Sequence, residues 1–478
     1  MEMMMSISWV GVMILIGMLC RAKIKPLGNI LLPASVIGGL IGFGLMNANM
    51  LPKASSGMLT QAVGFLFTIS FISIGLTGAP EGEGGAGAVA KQIFKGSMGM
   101  GFIWDMMYVI TPLMGFFIIL LVGKSFDMNP LYGLMIPFAF CQGPGQSAVF
   151  GGMIEANGWP DAVQVGVTYA AIGFLFAFGI GVPMAKWGLK RGLAKYSEKI
   201  SDHITSGLFP KSSQEEHYGR ITTYSGSIDV LAFHMGLVGL CFIGAVYMGK
   251  LLQLIIPGTV GDTFASMTFL NGMIVAYIVR FIMGKLNLLQ YHDSALQTRI
   301  TGWSTDFLIC AAFMSIQVAI IGKWIVPMLI MCLIVGIFTL IVAVILGQRL
   351  GGDCDFERTL GLWGCLTGTC PTGIALIRIV DPNLRTTAPT EMGAMNVFMI
   401  PTYIFVPTII GYTANPSMST FNTILIVAGI SFAIYFGCMI VFRLTGRKTF
   451  NLLKGQSYIK HNTSLTSSDS NNPNVLAD

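Results

Sequence analysis

The stretch GCLTGTCPTGIALIRIVDP, Gly364 to Pro382, decides the fold. It is apolar enough to enter a bilayer, yet glycine, threonine and proline crowd its middle. Gly368-Thr-Cys-Pro-Thr-Gly373 cannot be the interior of one straight helix. Pro371 has no N–H and suits the first turn of a helix, while Gly368 and Gly373 loosen the backbone. The reading is two half-helices meeting at a bend. Backbone broken at membrane depth survives only where it is buried in protein or lines a wet cavity. Secondary transporters hold ions and substrate at such breaks.

A second broken stretch, FCQGPGQSAVFGGMIEA, runs from Phe140 to Ala156. Placing Gly143 over Gly368, 225 positions on, also places Ser147 over Thr372, each just past its break. Two corresponding interrupted segments, one per half, point to a site built between repeats.

The whole chain supports this setting. Of its 478 residues 54% are hydrophobic and only 10% charged, with mean hydropathy +0.72, against about 25% charged in soluble domains. Apolar runs of about 20 residues indicate helices rather than barrel strands of about 10. The 59 glycines fit helices that pack closely in lipid. Nine cysteines, mostly in apolar runs and without a CxxC pair, read as small fillers rather than as disulfides or a metal site. The net charge of +6 calls for no nucleic-acid partner, because its distribution along the chain accounts for it.

Apolar segments are predicted near 4–20, 28–47, 58–79, 97–122, the broken 131–156, and 161–185. After a polar linker follow 228–248, 263–283, 301–321, 324–346, the broken 359–380, 388–412 and 420–442. The first reads as a retained span, since no Lys or Arg precedes Arg21 and no cleavage site is evident. The linker carries seven Lys/Arg and is placed in the cytoplasm by the positive-inside rule. If both broken stretches are re-entrant, 24 of the 28 Lys/Arg fall inside, leaving Lys53, Lys124, Lys250 and Lys323 outside. If both cross fully, the split is 14 and 14.

The re-entrant topology gives an all-α integral membrane protein of 11 transmembrane helices plus two re-entrant hairpins. Its N-terminus is outside and its C-terminus cytoplasmic. Each half has five spans, an odd number, so the halves form inverted repeats. The expected organisation is 1–185 with hairpin 131–156, a linker 186–227, 228–412 with hairpin 359–380, an extra span in 413–443, and a disordered cytoplasmic tail 444–478. KWGLKRGLAKYSEK, Lys186 to Lys199, is expected as an interfacial helix on the anionic inner leaflet. The sequon at Asn462 lies on the cytoplasmic side and carries no weight.

Each hairpin arm of about 10–12 residues is about 15–18 Å long, half the hydrocarbon core, so both tips reach the midplane. Where one arm ends, free carbonyls suit Na⁺; where the next begins, N–H groups and the helix dipole suit a carboxylate. Hydroxyls of Ser147, Thr369 and Thr372 add neutral ligands. The candidate substrate site is Gly145, Gln146, Ser147, Thr369, Pro371, Thr372 and Gly373. Gln142, Gly143, Thr367, Gly368 and Asp306 are the candidates for Na⁺. The rival reading is that these glycines only let helices pack closely.

Among isolated polar groups, Asp306 is the leading charged cation ligand, and Asp105 has no evident partner. Arg378 is expected to pair with Asp381 or to snorkel. Glu391 and Asn396 are weaker candidates for the site lining, and Glu155 is expected to cap the outer end of its hairpin. Gly82–Gly87 is no phosphate loop, for no Lys-Ser/Thr follows it. Five scattered histidines (His203, His217, His234, His292 and His461) supply no catalytic set, so no enzyme is predicted. His234 is expected simply to pack.

Gly368-Thr-Cys-Pro-Thr-Gly-Ile-Ala375 resembles the second re-entrant motif of the sodium/glutamate symporter family. Leu32–Gly39 (LPASVIGG), Phe65–Leu76 (FLFTISFISIGL) and Phe307–Ile316 (FLICAAFMSI) are similar to that family's helices, and the likeness spreads over most of 28–412. It implies two inverted five-helix domains, Na⁺-coupled uptake of glutamate or a related small anionic substrate, a homodimer, and an elevator-like domain carrying both hairpins in the cell membrane. The first hairpin departs from the pattern, with Gly143-Pro-Gly-Gln-Ser147 where Gly-Gly-x-Gly-Thr is expected, which leaves the substrate open. The alternative is a cation/proton antiporter that uses Asp306.

Overall fold

The computed structural model describes residues 1–30, 32–77, 86–196, 208, 219–224, 226–381 and 385–458. Among them nine helices are long and apolar enough to cross a bilayer: Glu2–Lys23, Ser56–Thr77, Lys91–Phe126, Ala162–Lys190, Val230–Ile255, Thr268–Lys285, Gly322–Gly347, Ala388–Ala414 and Met418–Val441. Two further predicted spans appear as Ala34–Asn47, only 14 residues long, and Ser294–Met314, which carries Arg299 and Asp306. The predicted span 388–412 is not one smooth helix. It runs Ala388–Met399, a 3-10 turn Ile400–Ile404 and Phe405–Ala414, because Pro401 lacks the N–H that a continuous α-helix needs.

Both broken stretches fold as antiparallel helical hairpins. The first passes from a 3-10 turn, Pro130–Met135, into the short helix Ile136–Phe140, turns at 141–143 and returns as Pro144–Ala156. Opposed contacts fix its direction: the Phe138 and Phe150 rings lie 4.7 Å apart, and Tyr132 donates to the Pro160 carbonyl at 2.7 Å. The second runs out as Asp355–Leu366 and back as Cys370–Val380. Gly364 faces Gly373 so closely that a Cβ would stand 2.7 Å from its partner's Cα. The packing role proposed for these glycines therefore holds at Gly373.

The helices sort into two bundles. In one, Glu2–Lys23 packs on Ala34–Asn47, as Val230–Ile255 packs on Thr268–Lys285. Ser56–Thr77 crosses Ser294–Met314 at the centre, and each also packs on the other half's second helix. The second bundle holds both hairpins, with Ala86–Val122, Ala162–Lys190, Ile325–Gly347, Ala388–Ala414 and Met418–Val441. An aromatic seam joins the two, where Phe67 covers Gly145 and Phe269 meets Tyr403 at 6.0 Å between ring centroids.

The base of the second hairpin is a buried charged cluster. Arg358, 2% exposed, forks onto Glu391 through Nε and Nη2, both at 2.6 Å, and reaches Asp355 through Nη1 at 2.8 Å. The Asp355 carboxylate also accepts from the backbone N–H of Gly351 and Gly352 and from the Thr449 hydroxyl. Burial forces Arg358 and Glu391 to pair, so Glu391, a candidate for the site lining, serves this cluster instead.

Three expectations are corrected here. The helix Ala162–Lys190 runs on through Trp187 and Leu189, and residues 191–196 turn, so no separate interfacial helix forms over the described part of 186–199. Leu193 is buried, and the Arg191 guanidinium lies over the Trp187 ring. The tail is ordered as far as residue 458. Phe450–Asn451 and Gln456–Ser457 form a small antiparallel ladder. Thr449 N–H donates to Gln348, Gly446 N–H to Arg349, and Trp187 Nε1 to Leu452, each to a backbone carbonyl, while Phe450 packs on Phe356. Finally, Asp381 does not pair with Arg378. Its oxygens accept from the backbone N–H of Arg385 and Thr386, leaving Arg378 exposed. Gly82–Gly85, His203, His217 and residues 459–478 with Asn462 lie outside the described residues.

Candidate functional site

The two hairpin turns meet. Gly143 adopts φ +80°, open to glycine at little cost, and a Cβ there would collide with Thr369 Cγ2. Each turn starts its second arm with proline, at Pro144 and at Pro371, where a missing N–H costs nothing. Thr369 is the N-cap of the second arm: its Oγ1 accepts from Thr372 N–H at 3.3 Å and lies 2.9 Å from Thr372 Oγ1. Ser147 N–H and Oγ–H both donate to the Gly143 carbonyl, at 3.2 and 3.1 Å.

Between the turns lies a narrow cavity lined by Phe71, Trp104, Cys141, Gln142, Gln146, Cys365, Thr369, Cys370, Asn396, Met399 and Tyr403. Its free volume is about 10 Å³, room for a single water. Trp104 Nε1–H donates to the Cys141 carbonyl at 3.0 Å, and the Tyr108 hydroxyl donates to Gln142 Oε1 at 3.0 Å. Trp104 and Tyr108 stack, one helical turn apart, and so brace the first hairpin turn. Gln142 Nε2 and both ends of the Gln146 carboxamide are buried and make no hydrogen bond of good geometry among the described residues, although both side chains interact with the Tyr403 hydroxyl. Unpaired buried amides cost about 1–3 kcal/mol each, which is tolerable where a ligand completes them.

Of the residues singled out from sequence, Gln142, Gln146 and Thr369 line this cavity. Gly143 touches Thr369, and Gly145 lies against the Phe67 ring. Ser147 and Thr372 sit one helical turn past the tips with their hydroxyls engaged inside their own hairpins. Thr367 donates to the Trp363 carbonyl, Gly368 packs against Phe174, Gly373 faces the other arm, and Pro371 is half-buried. Asp306 is not in the lining; it is exposed and its Oδ1 accepts from Ser35 at 2.8 Å. Asn396 is in the lining, whereas Glu391 belongs to the charged cluster. Glu155 accepts from Val163 N–H and so caps the following helix, and His234 packs with Nε2 accepting from Asp293 N–H.

Sequence reasoning missed Trp104, Tyr108 and Tyr403, whose aromatic character looks like any other lipid-span filler. Asp105, one residue past Trp104, was visible as an intramembrane charge. Its partner is Thr402, whose hydroxyl donates to Asp105 Oδ1 and is shared with Tyr435.

Fold and site define a multi-pass helical membrane protein with a narrow cavity between two broken, meeting hairpins. The sequence model of the sodium/glutamate symporter family matches residues 1–384, which include both hairpins. The chain belongs to that family, whose activity is Na⁺-coupled glutamate transport. Among curated proteins, none matches the chain.

Proposed function

We propose that this protein is a secondary symporter that uses the Na⁺ gradient to take up glutamate or a closely related small carboxylate. The meeting of the turns at Gly143 and Thr369, beside buried amides that make no well-formed hydrogen bond among the described residues, carries this reading. Amide N–H groups of Gln142 and Gln146 face the chamber as donors for a carboxylate. Carbonyl and hydroxyl oxygens at the two breaks serve Na⁺. In this reading the hairpins are re-entrant from opposite faces, and the halves are inverted repeats of five spans. The matching of contacts between first-half and second-half helices supports the repeat. The 24-to-4 distribution of basic residues supports an outside N-terminus and a cytoplasmic C-terminus.

Alternating access proceeds as an elevator, with the hairpin bundle sliding on its neighbour along the aromatic seam, within a homodimer. The antiporter reading lacks support: the family is a symporter family, and Asp306 lies off the chamber. The deciding experiment is uptake of radiolabelled glutamate, aspartate and dicarboxylates into proteoliposomes with and without an inward Na⁺ gradient. Na⁺-driven accumulation of one of them is expected. Uptake of none, with folded protein in the liposomes, would refute the proposal.

A further inference from the structure

Asp105 is fully buried, with 0% exposure, in the middle of the helix Ala86–Val122. Oδ1 accepts from Thr402, while Oδ2 has no partner among the described residues. The buried ion pairs at Arg358 and the pair Lys195–Asp353 do not involve Asp105. The groups around it are Thr402, Tyr435, Cys141 and Tyr403, and no cationic side chain is among them. An isolated ionised carboxylate in such surroundings costs several kcal/mol. A cation from outside the chain cancels that cost.

We propose that Asp105 supplies the negative charge of the site for the coupling Na⁺, with Oδ2 as the open ligand and neutral oxygens of the first hairpin turn completing it. This rests on the symporter reading and deepens it. Two connections tie the acid to the chamber. Trp104, its chain neighbour, holds the Cys141 carbonyl, and Tyr108, one turn on, holds Gln142. On the other side Thr402, bonded to Asp105, precedes Tyr403 in the chamber wall. Na⁺ at Oδ2 would therefore steady both the first hairpin turn and Tyr403. It would hold the buried amides of Gln142 and Gln146 ready for the anionic substrate, so that ion and substrate bind cooperatively.

The test uses the purified full chain and two readouts, Na⁺-induced thermal stabilisation without substrate and the Na⁺ concentration for half-maximal uptake. Asp105→Asn is expected to lose the stabilisation and to raise the half-maximal Na⁺ concentration about tenfold or more. Asn is also the isostere of a protonated Asp, so an unchanged response to Na⁺ would mean a neutral structural acid and would overturn the proposal. So would a larger loss in Asp306→Asn than in Asp105→Asn. If Asp105→Asn is not recovered folded, Thr402→Val carries the test. It should raise the half-maximal Na⁺ concentration about threefold or more, with substrate KM at saturating Na⁺ little changed; no change overturns. Wild-type protein that is stabilised by Na⁺ but takes up no carboxylate would sink the transport reading and leave this site standing.

Discussion

At Gly143 two constraints coincide, a left-handed backbone and the methyl of Thr369 from the other hairpin. Gly143→Ala is therefore expected to cost about 1–3 kcal/mol of stability from the backbone alone and to prise the tips apart. A drop in melting temperature together with weakened uptake, read on the purified protein, checks it; wild-type behaviour in both would show that the turns do not touch. Thr372→Val removes a hydroxyl that Thr369 shares. About 1 kcal/mol or more of apparent Na⁺ or substrate affinity should go with it. Ser147→Ala should do less, since that hydroxyl only doubles a bond that its own N–H already makes to Gly143. Transport constants for the pair of variants decide. At this scale the sequence located the two turns, because Pro and Gly leave a local signature. It could not tell which polar side chains face the chamber, since that depends on rotation about each arm.

The apolar helices and the two breaks were legible from hydropathy and from Pro and Gly, which are properties of neighbours in the chain. The Arg358 cluster was not, for Glu391 stands 33 residues away and only the fold brings them together. Breaking a buried pair leaves a charge stranded and costs about 3–5 kcal/mol. Arg358→Met should therefore destabilise the protein strongly, and Arg358→Lys should rescue little, because an ammonium cannot fork onto Glu391. Melting curves of both variants test this; a Lys variant as stable as wild type would deny the fork any importance. The interfacial helix expected at 186–199 failed for a physical reason. Trp187 and Leu189 gain more by extending the preceding helix onto the tail than by starting a new one.

Which helices join which bundle was out of reach of sequence reading, since it rests on which faces of similar apolar helices meet. If the hairpin bundle slides, the seam at Phe269 and Tyr403 must change partners. Phe269→Cys combined with Tyr403→Cys, joined by a short bifunctional maleimide, should halt uptake relative to the unjoined double variant. Equal uptake in joined and unjoined protein would argue against relative motion. The ordered tail matters here as well. Thr449 gives its hydroxyl to Asp355, so the end of the described chain is fastened to the foot of the second hairpin. A shortened version stopping after the last apolar helix would remove that fastening along with the unneeded residues. Anyone engineering the protein for imaging or purification would do better to attach a handle at the opposite terminus and leave the strap intact.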